Sequence, residues 1–267
     1  MTDFALSSDG ISIAYEAQGT GAPALVFVHG WSCDRRYWRG QVGHFAARRQ
    51  VVAVDLAGHG ESGAGRSAWT MAAFGDDVVA VVDRLGLGEL VLIGHSMGGD
   101  VIVEAALHLT DRVIGLVWVD TYSDFGDPGD PEIERFTAPF REDFASTTRD
   151  FVRGMFLPDS DPELVERVAA DMSAAPPGVA VDALQRAIGN VRAIPGLLQR
   201  LSVPVVAINP DHRPTDIEGL QRHGVTARLM SQVAHFLMME DPGRFNRLLE
   251  DVVNGFTRRL LAGEPVH

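Results

Sequence analysis

Short apolar runs alternate with helical stretches through the first half of the chain. The runs lie at 24–28, 51–54, 90–93 and 113–119. Continuous apolar runs of this length, bounded by Gly or Asp, are typical of central strands that are covered on both faces. Helical patterns separate them, at 36–47, 71–85 and 97–109. Because strand–helix–strand units place consecutive strands parallel, the alternation predicts an α/β fold with a mostly parallel sheet.

The pattern changes after residue 120. A cluster of Asp, Gly and Pro at 124–131 is followed by helical segments with prolines between them and no strand-like run. These segments lie at 140–157, 161–173 and 178–193. Strand-like runs then return at 203–208 and 225–230, followed by an amphipathic helix at 242–261. We therefore expect an α/β core from residues 1–120 and 201–267, with residues 121–200 inserted as a helical domain.

The charge of the chain argues against some classes of partner. The 267 residues include 36 acidic side chains and 23 Lys or Arg, a net charge of −13. Such a protein repels phosphate backbones and anionic lipids, so nucleic-acid and membrane partners are not expected. The single cysteine, Cys33, cannot form an internal disulfide and is expected to pack as an apolar side chain in a reducing compartment. The absence of a signal-peptide or transmembrane pattern predicts the cytoplasm, and monomer and homodimer both stay open.

A serine motif, Gly94-His95-Ser96-Met97-Gly98, directly follows the apolar run at 90–93. This is the G-x-S-x-G pattern in a strand–turn–helix context. The glycines leave room for a sharp turn, which lifts the hydroxyl to the C-terminal edge of the sheet. The following helix aims its free N–H groups and the positive end of its dipole at developing negative charge. The pattern therefore predicts that Ser96 is a nucleophile.

A serine hydroxyl needs a base to activate it and donors that stabilise the oxyanion it creates. His235 lies late in the chain, in a loop just after the run at 225–230, where the base belongs if the order is Ser, acid, His. His29-Gly30-Trp31 follows the run at 24–28 and so ends at the same edge of the sheet. We expect the backbone N–H groups of Trp31 and Met97 to form the oxyanion hole.

These motifs, in this order and sheet context, resemble the α/β-hydrolase fold superfamily over nearly the whole chain. Residues 29–31 are similar to its oxyanion loop, 55–62 to its D-x-x-G-x-G-x-S segment, 94–98 to its nucleophile elbow and 233–236 to its histidine loop. The resemblance implies an eight-stranded, mostly parallel sheet flanked by helices. It also implies that the helical insert is a cap over the active site.

The acid of the triad departs from the usual pattern of this superfamily. The acid usually follows the strand after the cap, but Arg213 falls at that position here and Asp211 is slightly early. Some members instead carry the acid at the end of the strand before the cap. Asp120 has that place here, 24 residues after Ser96. We favour Asp120, with Asp211 as the alternative acid. Two further candidates are Asp124 and Asp216.

No cofactor or metal is expected. The segment 58–63 fits G-x-G-x-x-G, but no helix begins at its end to receive a pyrophosphate. No cluster of His, Cys, Asp or Glu has metal-ligand spacing.

The resemblance and the motifs together predict a serine hydrolase that cleaves a small carboxylic ester or lactone through an acyl-enzyme on Ser96. Two alternatives stay open: hydrolysis of a carbon–carbon bond in a vinylogous diketone by the same triad, and a non-catalytic small-molecule receptor on the same fold. The candidate pocket residues are near the catalytic motifs or among the large side chains of the insert: Tyr122, Phe236, Phe140 and Met155.

Overall fold

Eight strands form one sheet in the computed structural model, which describes residues 1–263. The strands are β1 (Thr2–Leu6), β2 (Ser12–Gln18), β3 (Ala24–Val28), β4 (Val51–Val54), β5 (Leu90–His95), β6 (Val113–Val119), β7 (Val205–Pro210) and β8 (Val225–Met230). Their order across the sheet is β1-β2-β4-β3-β5-β6-β7-β8. The β1–β2 and β2–β4 pairs are antiparallel and the other pairs are parallel. This confirms the predicted mostly parallel sheet. The last residues of the predicted core, 264–267, lie outside the described part.

Helices cover both faces of the sheet. The core helices are α1 (Arg39–Phe45), preceded by a 3-10 helix at Arg35–Trp38, then α2 (Met71–Leu85) and α3 (Met97–His108) and, after the insert, α9 (Ile217–Arg222), α10 (Leu237–Glu240) and α11 (Pro242–Ala262). A Cβ atom at Gly115 of β6 would overlap the ring of Phe256 in α11. Trp118 of the same strand donates from Nε1 to the Gly99 carbonyl of α3 at 3.0 Å. Because residues 115 and 118 point to opposite faces of a strand, α3 and α11 lie on opposite faces of the sheet.

Five helices lie between β6 and β7. They are α4 (Asp130–Glu142), α5 (Phe144–Arg153), α6 (Pro162–Ser173), α7 (Pro177–Asn190) and α8 (Ile194–Leu198). Helix α4 packs against α7, α5 packs against α6, and α7 also contacts α2 and α3 of the core. The indole N–H of Trp31 donates to the Ala180 carbonyl of α7 at 2.7 Å, which ties the insert to the end of β3. No helix within residues 1–263 is both long and apolar enough to cross a membrane.

The helix predicted at 140–157 is wrong in its bounds. One helix ends at Glu142 and the next begins at Phe144, with Asp143 between them in a non-helical conformation (φ −143°). The Asp143 carboxylate accepts a hydrogen bond from the Ser146 N–H at 3.1 Å, so the residue that interrupts α4 caps α5. The predicted breaker cluster at 124–131 overlaps the start of α4, which begins at Asp130. Pro131 is compatible with the first turn of a helix because a backbone N–H there would have no partner within the helix.

The glycine at position 115 generates a stability prediction. In Gly115→Ala the new methyl group overlaps the buried Phe256 ring, so we expect the free energy of unfolding to fall by about 1–3 kcal/mol. Urea unfolding followed by circular dichroism measures it. Gly88→Ala is the matched control, since nothing lies within 4 Å of a Cβ there, and it should cause no loss. Equal stability of the two variants would contradict the packing of α11 on β6.

Candidate active site

Ser96 occupies a strained turn between β5 and α3. Its φ of 52° is in the region that favours glycine. A Cβ at Gly94 would overlap the Gly98 carbonyl, and a Cβ at Gly98 would approach the His29 carbonyl oxygen to 2.6 Å. Both positions therefore require glycine, for the steric reason that the motif predicts. The turn holds the hydroxyl-bearing residue at the edge of the sheet.

The strand register brings Ser96 and Asp120 to neighbouring strand ends. His95 of β5 pairs with Val119 of β6, so the next residue of each strand emerges at the same edge. The Ser96 N–H donates to the Val119 carbonyl at 2.9 Å, and the Asp120 N–H donates to the Ile208 carbonyl of β7 at 3.0 Å. Backbone hydrogen bonds thus continue one residue beyond the regular strands. They hold both residues in place.

The imidazole of His235 contacts the carboxylate of Asp120. Nδ1 of His235 lies 2.6 Å from Oδ2 of Asp120, and Asp120 is only 7% exposed. Since an ionised carboxylate can only accept, Nδ1 is the donor, which leaves Nε2 as the ring nitrogen free to take up a proton. Ser96 and His235 both line one cavity. The structure therefore brings the predicted nucleophile, base and acid to one place.

Arg213 is a second donor to the same carboxylate oxygen. Its Nη2 lies 2.8 Å from Asp120 Oδ2. Burial raises the pKa of Asp120, but the hydrogen bond from His235 and the charges of His235 and Arg213 outweigh it and hold the pKa below its usual value. The arginine at the position where the superfamily usually carries the acid thus pairs with a carboxylate on another strand.

The other candidate acids have different partners. Asp211 is exposed, and its backbone N–H donates to the Met230 carbonyl. Asp216 caps α9 by accepting from the Gly219 N–H at 2.9 Å. The Asp124 carboxylate accepts from the Gly126 N–H at 2.7 Å and closes a local turn. Among the described residues, Asp120 alone of these four is hydrogen-bonded to His235.

The predicted oxyanion loop lies directly beside Ser96. A Cβ at Gly30 would approach His95 Nδ1 to 2.9 Å and the Ser96 Cβ to 3.2 Å, so a larger residue would have to displace these neighbours. Trp31 and Met97 both line the same cavity as Ser96. Met97 is the first residue of α3, where a backbone N–H has no partner within the helix. Met97 thus brings a backbone N–H without a helical partner to the cavity that Ser96 lines.

The backbone of His235 is held on both sides. Its carbonyl accepts from Nε2 of His95 at 2.9 Å, and its N–H donates to the Met155 carbonyl of the insert at 3.2 Å. His95 is the residue before Ser96, so the turn that carries the predicted nucleophile also contacts the loop that carries the predicted base. Core and insert thus jointly position one imidazole.

Comparison with known proteins agrees with this architecture. A sequence model of the family described as alpha/beta hydrolase fold matches residues 23–215. The chain belongs to this family. The 3-oxoadipate enol-lactonase 2 of Acinetobacter baylyi is 28% identical over an alignment of 264 positions, which covers 94% of this chain and 96% of that protein.

Two solved structures of α/β hydrolases resemble this one closely. A thermophilic esterase from Thermogutta terrifontis, with malate bound, has a TM-score of 0.81 at 26% identity, covering 96% of this chain and 99% of the esterase. Est816, an N-acyl homoserine lactone degrading enzyme, has a TM-score of 0.80 at 27% identity, covering 93% and 99%. These similarities support a hydrolase of the ester or lactone type.

A cavity of about 720 Å³ opens at the strand ends, a volume typical of small-molecule sites. Tyr122 and Met155 line it, as predicted for pocket residues. Phe140 and Phe236 do not, and these two predictions are wrong. Phe140 is buried edge-on against Trp31, with ring centroids 5.6 Å apart. Phe236 is fully buried and stacks on Phe156 at 5.1 Å.

Helix α7 contributes a wall of the cavity that sequence reasoning missed. Its lining side chains, Leu184, Ala187 and Ile188, share the spacing of one helical face, and Val191 continues that face one residue after the helix ends. That spacing was available in the sequence as a signal. Asp100, one turn after Ser96, was also missed, although an acidic residue in an otherwise apolar stretch of α3 is itself unusual.

The segment 58–63 packs against the carboxylate of Asp55. A Cβ at Gly60 would overlap the carboxylate of Asp55, which pairs with the Arg35 guanidinium and accepts from the Glu61 N–H at 2.9 Å. The glycine therefore makes room for a buried ion pair. Within residues 1–263, no group of three or more His, Cys, Asp or Glu side chains is arranged to hold a metal ion.

Three histidines around the site are buried in neutral form. Burial lowers the pKa of His29 to about 4 and the pKa values of His59 and His95 to about 3. An unfolded chain binds these protons near pH 6.5. Their contribution to stability is therefore fully present above pH 6.5 and is lost as the pH falls toward the folded-state values.

We predict that His59→Asn flattens the pH dependence of stability. An Asn amide can replace the donor that His59 Nδ1 offers the Ala57 carbonyl at 3.0 Å, but it takes up no proton. Between pH 7 and pH 5 the wild type should lose about 2 kcal/mol more free energy of unfolding than the variant. Urea titrations across this range measure both losses. If the wild type and the variant lose the same free energy of unfolding over this pH range, folding does not lower the pKa of His59.

Proposed function

We propose that this α/β hydrolase is a serine hydrolase, which cleaves a small carboxylic ester or lactone through an acyl-enzyme on Ser96. The observation that carries the proposal is the 2.6 Å contact of His235 Nδ1 with the buried Asp120 carboxylate, in the loop that borders the cavity containing Ser96. A neutral imidazole held in this tautomer presents Nε2 as a base, which is what a serine nucleophile needs.

In the first half-reaction the Ser96 Oγ attacks the substrate carbonyl carbon while His235 Nε2 takes the hydroxyl proton. The carbonyl π electrons move to oxygen, and the N–H groups of Trp31 and Met97 stabilise that oxyanion. The oxyanion collapses and the carbon–oxygen bond to the alcohol breaks. His235 gives its proton to the leaving oxygen. A linear ester releases its alcohol at this stage, whereas a lactone keeps it attached.

In the second half-reaction His235 removes a proton from water, and the resulting hydroxide attacks the acyl carbon. The second tetrahedral intermediate expels Ser96 Oγ, which recovers its proton from His235. Asp120 stays ionised throughout and stabilises the imidazolium that forms twice in the cycle. Its lowered pKa fits this role, because the charge is retained at every pH at which the imidazole works as a base.

In this proposal residues 121–200 form the cap, and residues 1–120 and 201–267 form the core. The apolar face of α7 and the side chains of Phe136 and Phe151 line the cavity from the insert. The cap therefore provides most of the apolar surface that an acyl or alkyl group would contact.

A lactone is the second candidate among substrates. The enol-lactonase of Acinetobacter baylyi and Est816 are named for lactones and cover nearly the whole chain. A panel of short esters, long esters, lactones and a vinylogous diketone at neutral pH separates the possibilities. If the protein turns over only the diketone, its activity is hydrolysis of a carbon–carbon bond and not of an ester.

A fluorophosphonate probe tests the nucleophile. We expect covalent labelling of the wild type and none of Ser96→Ala, because only an activated hydroxyl attacks phosphorus at a useful rate. Intact-protein mass spectrometry measures the adduct. Ser123→Ala is the matched control, since Ser123 also lines the cavity, and it should label normally. A wild-type protein that stays unlabelled would count against the proposal that this protein is an enzyme.

The acid is tested by a pair of variants on p-nitrophenyl esters. Asp120→Asn should reduce kcat by roughly 10²–10⁴, because the amide favours the wrong imidazole tautomer and cannot stabilise the imidazolium. Asp211→Asn should stay within about twofold of the wild type, since this carboxylate is exposed and does not contact His235. The opposite result would assign the acid to Asp211.

A further inference from the structure

Asp100 is a buried carboxyl group that the proposed reaction does not use. It is the fourth residue of α3 and lines the same cavity as Ser96, with 4% of its surface exposed. One turn of helix, about 5.4 Å, separates it from the nucleophile. It therefore faces the part of a substrate that lies a few bonds away from the scissile carbonyl.

The two carboxyl oxygens of Asp100 have different surroundings. Oδ1 accepts from the Tyr122 hydroxyl at 2.6 Å and from Nδ2 of Asn190 at 2.9 Å. Oδ2 receives no hydrogen bond from any group in residues 1–263. Protein atoms do not enclose this oxygen completely, so it keeps some accessible surface. Since Asp100 borders the cavity and both protein donors bind Oδ1, we infer that Oδ2 faces the cavity.

The contacts to Tyr122 and Asn190 do not by themselves require a carboxyl group. An asparagine at position 100 could accept both hydrogen bonds on its single oxygen, without the free-energy cost of burying an ionisable group. What the carboxyl adds is a second acceptor oxygen, held still by the two donors on the first. An acceptor without a partner in a substrate cavity is complementary to a donor on the substrate.

We propose that Asp100 determines substrate specificity, by accepting on Oδ2 a hydrogen bond from a hydroxyl or amide N–H group of the ester or lactone. This inference rests on the proposed function and adds the substrate class: an ester or lactone with an uncharged donor a few bonds from the carbonyl. An uncharged donor fits better than an ammonium group, because the apolar face of α7 lines the same cavity and a cation would lose its hydration there.

The electrostatics of Asp100 agree with this role. Burial raises its pKa to about 7, although the hydrogen bonds from Tyr122 and Asn190 act in the opposite direction. Glu104, one turn further along α3, adds to the rise. A substrate donor on Oδ2 would stabilise the ionised form of Asp100. Substrate binding would therefore offset the free-energy cost of burying this charge.

Matched small esters test the inference at about pH 8.5, where a carboxyl with a pKa near 7 is ionised. One series carries a hydroxyl group at successive carbons of the acyl chain, from the third to the sixth. The second series carries a keto group at the same carbons, an acceptor of nearly equal size. A third places the hydroxyl or a methoxy group on the alcohol side. A pH-stat measures kcat/KM from the acid released.

We expect the wild type to prefer a hydroxy ester to its matched keto or methoxy ester by roughly 10- to 100-fold at the best position. Asp100→Asn should reduce or invert that ratio, because its Nδ2 donates where Oδ2 accepted. Glu104→Gln, on the same helix but outside the cavity lining, is the control and should keep the wild-type ratio.

Two results would overturn the inference. The first is a wild type that does not prefer the hydroxy ester to its matched keto or methoxy ester at any position. This result does not depend on the folding of a variant. The second is a preference that is equal in wild type and Asp100→Asn. In both cases the esters are still hydrolysed and Ser96 still reacts with the fluorophosphonate probe, so the proposed function survives. If no ester is hydrolysed and Ser96 stays unlabelled, the proposed function itself fails.

Discussion

The hydrogen bond between Asp120 and His235 joins parts of the chain that are 115 residues apart, and the rest of the site depends on it. It orients the imidazole, sets the tautomer and keeps a charge beside it. The sheet makes this bond possible, because β6 pairs with β5 on one side and with β7 on the other. An acid at the end of β6 is thus next to the nucleophile turn. The insert lies between Asp120 and His235 in the chain, and the strand register holds Asp120 in place on its side of the insert.

Backbone strain is concentrated in the loops that form this site. Within residues 1–263, the non-glycine residues with positive φ are Ser32, Ser96, Asp120 and Gln232. Two are the proposed nucleophile and acid, one follows Trp31, and one precedes His235 by three positions. Such conformations cost of order 1–3 kcal/mol each and persist only where the surroundings enforce them. Here the enforcing contacts are the extended strand bonds, the glycine-lined turn and the His95 contact to the His235 carbonyl.

Much of this arrangement could be predicted because strand ends are local features. The apolar runs located β3, β5 and β6, and the residues that follow them, Ser96 and Asp120 among them, had to emerge at one edge. Which acid contacts His235 was harder, since Asp211 and Asp120 both follow strands and only the register separates them. Phe140 and Phe236 show the limit: position in the chain says that an aromatic residue is near a site, but not to which side its ring turns. The break at Asp143 was missed because the same residue both ends and starts a helix.

The insert is tied to the site by polar contacts as well as by apolar surface. Asn190 donates to Asp100, Ala180 accepts from Trp31, and Met155 accepts from the His235 N–H. Breaking a buried hydrogen bond without replacing it costs about 1–3 kcal/mol. Moving the insert as a body would break several at once and would also release His235 from one of its anchors. Access to the cavity by rearrangement of a few side chains is therefore less costly than access by opening the whole insert, and it leaves the imidazole in place.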